Sequence, residues 1–215
     1  MKQLFSLEKA TLLPILGTDA FFPVNNIYCV GRNYSSHARE MGVNYESKPF
    51  FFSKPNWTIS KGELKYPKKT KDLQYEVELV LAIGKNHSIA GIAVGIDFTR
   101  RDVQSIAKKN GKPWFEGKSF LGSSSVSDIV IMDGNIDLSK LQLKLEVNGE
   151  IKQVANCRDM LLKPSEIIYK LAEDVPLKRG DLIFTGTPSG VGEVVISDEI
   201  LASIDKIVEL SVVVG

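Results

Sequence analysis

The segment QYEVELVLAIG, residues 74–84, predicts the central strand of a sheet. Its second half is apolar at every position up to the closing glycine, which is typical of a strand buried on both faces in the middle of a sheet. Its first half carries Glu76 and Glu78, which point to the same side because strand residues two apart share a face. Two acids beside a core repel each other and lose hydration, at a cost of several kcal/mol per ion unless something compensates them.

Two interpretations of these acids are open. The face that carries them is wet, with the acids solvated or paired with lysines, or a hard divalent cation such as Mg²⁺ binds there. A third acid favours the cation. In GIAVGID (91–97), the large apolar residues alternate with small ones, and Asp97 lies on the small-residue face at the end of the strand. Glu76, Glu78 and Asp97 could therefore form a three-carboxylate cup.

Composition excludes several classes of function. The chain has 215 residues, with 27 Lys plus Arg against 26 Asp plus Glu, so it lacks the basic bias that nucleic-acid and membrane-surface binding usually need. Cys29 and Cys157 have no CxxC spacing, which indicates a reducing compartment. Glu8 and Lys9 interrupt the first apolar stretch, and no run of eighteen apolar residues occurs. We expect a cytoplasmic protein with no membrane span.

The rest of the chain predicts a β-rich α+β fold. Short apolar runs with β-branched residues predict strands over 26–31, 49–53, 78–84, 91–97, 141–150, 181–186 and 207–214. Asn148-Gly149 predicts a tight hairpin. Helices are predicted from Thr99 to 109, with Asp102 completing a capping box, and over 35–41 and 163–173. We expect an N-terminal lead-in (1–24) and one catalytic domain (25–215).

Further residues could carry chemistry. His37 and Glu40 are three apart on a predicted helix, which suits a general base oriented by a carboxylate, or simply a weak surface pair. GKPWFEGKS (111–119) is not a phosphate-binding loop, because bulky residues lie between its glycines, so Lys118 needs another role. The turn GTPSGVG (186–192) presents the Thr187 hydroxyl, which could hold a carboxylate or have only a structural role.

These pieces occur together, in this order, in one known family. The sequence resembles the fumarylacetoacetate hydrolase superfamily, and most closely its short members that act on acylpyruvates and related 2-oxo acids. The resemblance spans roughly residues 25–195. It rests on seven blocks of sequence: VGRNYSSHAREMG, PFFFSKP, YEVELVLAIGK, GIDFTRRDVQ, KPWFEGKSF, LEVNGE and GDLIFTGTPSGVG.

The resemblance implies a role for each candidate. It implies a mixed β-sandwich roll, a homodimer, and Mg²⁺ or Mn²⁺ held by Glu76, Glu78 and Asp97. His37 and Glu40 match the family's dyad, on a segment that orders as a lid in relatives, and Lys118 matches its active-site lysine. Arg32, Gln104 and Thr187 match residues that line the substrate pocket, and Lys54 lies nearby.

The implied activity is hydrolytic cleavage of a C–C bond in 2,4-dioxo acids, such as acylpyruvates or fumarylpyruvate, through a metal-stabilised enolate. His37, oriented by Glu40, would take a proton from the attacking water. Decarboxylation of oxaloacetate and isomerisation of unsaturated dioxo acids stay open, because both use the same enolate. A catalytically silent metal-binding homologue stays open too. The chain departs from relatives at 85–90, where KNHSIA replaces a helix, and at 196–210, which lacks the usual glycines.

Overall fold

The computed structural model describes residue 4 and residues 9–35, 48–134 and 136–215. Its helices are few: α1 (Arg101–Lys109), α2 (Phe115–Lys118) and α3 (Pro164–Asp174). The strands are β1 (Thr11–Pro14), β2 (Phe21–Val24), β3 (Ile27–Gly31), β4 (Phe50–Lys54), β5 (Ile59–Ser60), β6 (Gly62–Leu64), β7 (Leu73–Tyr75), β8 (Val77–Ile83), β9 (Ile89–Asp97), β10 (Thr99–Arg100), β11 (Ser124–Val126), β12 (Val130–Ile131), β13 (Gln142–Val147), β14 (Glu150–Asn156), β15 (Leu182–Phe184), β16 (Gly192–Glu193), β17 (Glu199–Ile204) and β18 (Val208–Val214).

The largest sheet has eight strands and mixed pairing. Its order is β4-β3-β15-β8-β9-β11-β5, with β12 paired to β9. β8 lies between β15 and β9, and all seven of its residues are buried. The expectation of a central strand is therefore confirmed, and so is the β-rich α+β class.

A five-stranded sheet, in the order β14-β13-β17-β18-β6, packs against one face of the eight-stranded sheet. Alternate residues of β8, among them Val77, Leu79 and Leu81, lie in the main hydrophobic core together with residues of β13 and β17 such as Leu145 and Ile204. The core between the two sheets thus takes one side of β8 along its whole length.

The opposite side of β8 is divided between a second core and the acids. Val80 and Ala82 pack in this second core with Leu13 and Phe22, which belong to the β1-β2 hairpin. Glu78 lies on the same side of β8, nearer its start, because residues two apart share a face. The acids therefore begin where the second core ends.

Several local predictions are confirmed. Asn148 (φ 52°) and Gly149 (φ 77°) form the tight turn between β13 and β14, both in the left-handed region that an Asn-Gly turn provides. The helix predicted over 163–173 is α3. β17 and β18 pair antiparallel from Glu199–Val213 to Ile204–Val208 despite the missing glycines.

One predicted boundary was wrong. Thr99 does not start the helix: Thr99 and Arg100 form β10, which pairs with β7, and α1 begins at Arg101. The Asp102 carboxylate accepts hydrogen bonds from the Thr70 hydroxyl (2.6 Å) and the Lys71 N–H (2.9 Å). Asp102 therefore binds the loop before β7 and does not form the predicted capping box.

Two other predicted segments have different outcomes. At 85–90, a short 3₁₀ turn over Lys85–His87 leads directly into β9, as the short segment suggested. The helix predicted over 35–41 falls mostly outside the described residues. No helix within the described ranges is both long and apolar enough to cross a membrane.

Candidate active site

Three buried acids meet at one end of the central strands. Glu76 lies between β7 and β8, Glu78 is the second residue of β8, and Asp97 ends β9. Glu78 pairs in register with Gly95, where a Cβ would lie only 2.6 Å from Val80 and 2.7 Å from Phe184, so this position beside the acid requires glycine. Each acid offers an oxygen, and these oxygens all lie within 4.8 Å of one another. Exposure is 5 % for Glu76, 2 % for Glu78 and 0 % for Asp97, so the acids are not solvated, and of the first interpretation only the pairing with lysines remains.

Three protein cations contact two of these acids. Lys118 Nζ donates to Glu76 Oε2 and Asp97 Oδ2, both at 2.7 Å. Lys54 Nζ donates to Asp97 Oδ1 and to the Ser123 carbonyl, both at 2.6 Å. The Arg101 guanidinium pairs with Glu76 Oε1. The pairing of the acids with lysines, one of the interpretations left open by the sequence, is therefore present for Glu76 and Asp97, and an arginine adds to it.

Close helix packing places Lys118. It ends α2, and a Cβ added at Gly117 would lie only 2.9 Å from Gln104 Cβ on α1. Only glycine lets the two helices approach so closely, and this approach brings the lysine over the acids. Burial by itself would lower the pKa of Lys118, but the charges of Asp97 and Glu76 outweigh it and raise the pKa, so the ammonium stays charged.

The negative charge of Glu78 has less compensation from the protein than the charges of Glu76 and Asp97. Its Oε2 accepts a hydrogen bond from the Gly186 N–H at 2.6 Å, and within the described ranges no ion pair reaches it. Burial raises its pKa well above the usual range, and the charges of Asp97 and Glu76 raise it further. A carboxylate in this position gains most from a cation. The donor set, three carboxylates and no nitrogen or sulfur, fits Mg²⁺ or Mn²⁺.

The pocket over the acids presents hydrogen-bond donors. Arg101 Nη1 donates to Gln104 Oε1 at 2.7 Å, which leaves the Gln104 amide N–H groups to face the pocket. Thr187 Oγ1 accepts from Gln153 Nε2 at 3.0 Å, which leaves the Thr187 hydroxyl proton to donate. The residues that line the pocket are Val30, Gly31, Arg32, Phe52, Glu76, Glu78, Asp97, Arg101, Gln104, Lys108, Trp114, Lys118 and Thr187.

The structure thus brings most of the sequence candidates together. Arg32, Gln104, Thr187 and Lys118 line the pocket with the three acids. Lys54 differs: it is fully buried behind Asp97, where it holds that carboxylate instead of lining the pocket. His37 and Glu40 lie outside the described residues, so their role as a general-base dyad stays a prediction.

Two residues of the site, Arg101 and Gln153, were not predicted from the sequence. Arg101 could have been found, since it lies three residues before Gln104 on one helix face. Gln153 gave no such signal, because it lies in an ordinary alternating hairpin. Its Oε1 accepts the Val77 N–H (2.9 Å), while its Nε2 donates to Thr187 Oγ1 and to the Pro188 carbonyl (both 3.0 Å). One buried amide therefore joins the strand between the two glutamates to the loop that carries Thr187.

We expect Gln153→Leu to lower the free energy of unfolding by about 1–3 kcal/mol, because it leaves the buried Val77 N–H without its partner. It should also weaken Mn²⁺ affinity, since Val77 separates the two glutamates. Chemical denaturation and Mn²⁺ titration measure the two effects. Val154→Thr, at the exposed next residue, is the matched control. Equal changes in stability and Mn²⁺ affinity in both variants would contradict this role of the Gln153 hydrogen bonds.

Glu78→Gln should affect stability differently with and without metal. The raised folded-state pKa means that the stability contributed by protonated Glu78 is fully present below its ordinary value of 4.5 and is lost as pH rises through the folded pKa. With EDTA at pH 8, the variant should therefore be more stable than wild type, with the gap closing toward pH 4.

Added Mn²⁺ should reverse that order by stabilising only the wild type. Thermal unfolding across pH, with EDTA or Mn²⁺, measures both effects. A variant less stable than wild type in EDTA at pH 8, or equal stabilisation of both proteins by Mn²⁺, would contradict this assignment of Glu78.

The chain is similar to known proteins of one family. The family model described as "Fumarylacetoacetate (FAA) hydrolase C-terminal" matches residues 26–214. The Mus musculus protein "Oxaloacetate tautomerase FAHD1, mitochondrial" is 39 % identical over 197 residues, which is 86 % of this chain and 89 % of that protein. A fumarylpyruvate hydrolase from Ralstonia sp is 41 % identical over 178 residues, 77 % of this chain and 92 % of the relative. The crystal structure of fumarylpyruvate hydrolase from Pseudomonas aeruginosa in complex with Mn²⁺ and pyruvate is similar over 100 % of both chains, with a TM-score of 0.94 and 38 % identity. The chain belongs to the fumarylacetoacetate hydrolase family.

Proposed function

We propose that this protein is a Mg²⁺- or Mn²⁺-dependent hydrolase of 2,4-dioxo acids, such as fumarylpyruvate or an acylpyruvate. Water adds to the distal carbonyl, and the C–C bond next to it breaks. The products are a 2-oxo acid and a carboxylic acid. The Ralstonia and Pseudomonas relatives bear names for this activity, and their similarity to this chain supports the proposal.

The proposal rests on a wall of hydrogen-bond donors beside the three acids, formed by Gln104, Thr187 and Lys118. The acceptors of Gln104 and Thr187 are already bonded within the protein, so both side chains offer protons to the pocket. Lys118 uses two of its three N–H groups on Glu76 and Asp97. Such a wall suits a ligand rich in carboxylate and oxo oxygens.

A divalent cation held by Glu76, Glu78 and Asp97 would polarise the oxo group of the substrate as a Lewis acid. The charged ammonium of Lys118 can donate its remaining N–H to the oxygen on which negative charge develops during bond cleavage. Hydrolysis also needs a base that takes the proton from water. We assign that step to His37, oriented by Glu40.

A second candidate is enolisation or decarboxylation of oxaloacetate, and isomerisation of unsaturated dioxo acids is related to it. These reactions need no attacking water, so the described wall of Gln104, Thr187 and Lys118 could support them without a base for water. The mouse relative bears the name of an oxaloacetate tautomerase. A catalytically silent homologue would bind the cation with the same three acids, so turnover, and not metal binding, separates it from both candidates.

We also propose a cytoplasmic homodimer in which residues 1–24 are a lead-in to one catalytic domain over residues 25–215. The two buried free cysteines are compatible with a reducing compartment. The β1-β2 hairpin belongs to the lead-in and packs through Leu13 and Phe22 on the second core. Light scattering of the purified protein would test the dimer.

The proposal is tested by following the ultraviolet absorbance of fumarylpyruvate, acetylpyruvate and oxaloacetate with purified protein and Mn²⁺ or EDTA. We expect Mn²⁺-dependent loss of a dioxo acid with release of pyruvate, and no activity in Glu76→Gln. Lys118→Met should lower kcat by about 100- to 1,000-fold, the usual effect of removing a donor to a developing oxyanion.

His37→Ala separates the two candidates. It should slow hydrolysis by about 100- to 10,000-fold, because general-base assistance is lost, while metal affinity is retained. Undiminished hydrolysis would remove the dyad from the mechanism. Turnover of oxaloacetate alone would favour the second candidate, and turnover that persists in EDTA would contradict both.

A further inference from the structure

Two cations in the pocket have no acidic partner among the described residues. Arg32 and Lys108 line the same pocket as the three acids, yet neither forms a hydrogen bond or ion pair within the part of the chain that the structure describes. Each lies over an aromatic ring instead. Arg32 Cζ is 5.5 Å from the centroid of Phe50, and Lys108 Nζ is 4.7 Å from the centroid of Trp114.

The two rings join these cations into one surface. Phe50 and Trp114 meet edge to face, with centroids 5.0 Å apart and planes at 85°. We call Arg32, Phe50, Trp114 and Lys108 the cationic rim. Cation–π contacts of this length restrain a charged side chain without neutralising it, so the rim presents two positive charges in a defined place.

Helix geometry separates the rim from the acids. Arg101, Gln104 and Lys108 follow one face of α1 at spacings of three and four. At 1.5 Å per residue, the Lys108 backbone lies about 10 Å beyond that of Arg101, whose guanidinium holds Glu76. Gln104 lies between them. The pocket therefore has an acid end, a donor-lined middle and a cationic end.

The backbone at Arg32 is also unusual. Its φ is 64°, in the left-handed region that residues other than glycine seldom adopt. Such conformations cluster at ligand-binding sites, where the surrounding structure maintains them. At Arg32 this conformation accompanies the side chain's place over the Phe50 ring.

Charge indicates what the rim can bind. Lys54, Arg101 and Lys118 already contact the acids, so Arg32 and Lys108 are additional positive charges in the pocket. Lys108 remains exposed at the mouth, but partial loss of water, with the nearby charge of Arg101, lowers its pKa to about 8. An anion placed between Arg32 and Lys108 would offset this repulsion.

We propose that the cationic rim binds an anionic group at the far end of the substrate, so that the pocket selects 2-oxo acids with a second carboxylate over those that end in a methyl group. The inference rests on the proposed function for the near end, where the 2-oxo acid group lies. Lys108 and Arg32 thereby become specificity-determining residues.

A matched pair of ligands tests this selection without turnover. 2-Oxohexanedioate and 2-oxohexanoate have the same chain length and differ only at the far end. Neither has the 4-oxo group that cleavage requires, so calorimetry with Mn²⁺-loaded protein measures binding alone. We expect wild type to bind the diacid about 10-fold or more tightly than the monoacid.

Substitutions assign the preference to the rim. Lys108→Met should weaken diacid binding by about 10-fold and change monoacid binding by less than about 2-fold. Lys108→Arg keeps the charge and should retain most of the preference. Lys109→Met alters an exposed neighbour that does not line the pocket, and it should change neither affinity.

Three outcomes would overturn the proposal: equal affinity of wild type for the two acids, equal weakening of both by Lys108→Met, or binding of neither acid. Failure of the proposed function is a separate result. It would be seen as absence of turnover of every dioxo acid in the absorbance assay while the diacid preference persists.

Discussion

The Lys118 ammonium lies 2.7 Å from a carboxylate oxygen of Glu76 and 2.7 Å from one of Asp97, and the rest of the site depends on this bridge. A charge buried alone costs several kcal/mol, and removing one partner of a buried pair leaves the other uncompensated. Arg101 on Glu76 and Lys54 on Asp97 extend the same network. Among the described residues, the network balances two acids with three cations and leaves Glu78 with a backbone N–H alone, so the site can accept the charge of a divalent cation.

The sheet makes this arrangement possible, because alternate residues of β8 serve different purposes. One side of β8 packs in the core between the two sheets along its whole length. The other side supplies Val80 and Ala82 to the core under the β1-β2 hairpin and then ends in Glu78. A strand buried on both faces holds its side chains rigidly, and rigid carboxylates suit a cation that demands near-ideal octahedral geometry. Gln153 adds the link from the five-stranded sheet to the start of β8.

Sequence patterns correctly predicted the features that neighbouring residues along the chain determine. Alternation and the apolar run located β8 and β9, and with them the shared face of Glu76, Glu78 and Asp97, while Asn148-Gly149 located the hairpin. The sequence patterns did not predict features that depend on contacts between residues far apart in the chain. The bonds from Gln153 to Val77 and Thr187 span 76 and 34 residues, and no local period records them. The start of α1 was misplaced for the same reason, since the loop at Thr70 takes Asp102 from a distance of 32 residues. The expected active-site role of Lys118 came from the family resemblance. The cationic rim could not be predicted from sequence, because it depends on how the rings of Phe50 and Trp114 meet in space.

We propose that Glu76, Glu78 and Asp97 together hold one divalent cation. This binding can be observed in a crystal structure of the protein grown with Mn²⁺, with anomalous diffraction measured at the manganese edge. We expect one strong anomalous peak about 2 Å from an oxygen of each of the three carboxylates, the range of hard-cation–oxygen bonds. A map with no peak at these acids, or a peak that Glu78 does not contact, would contradict it.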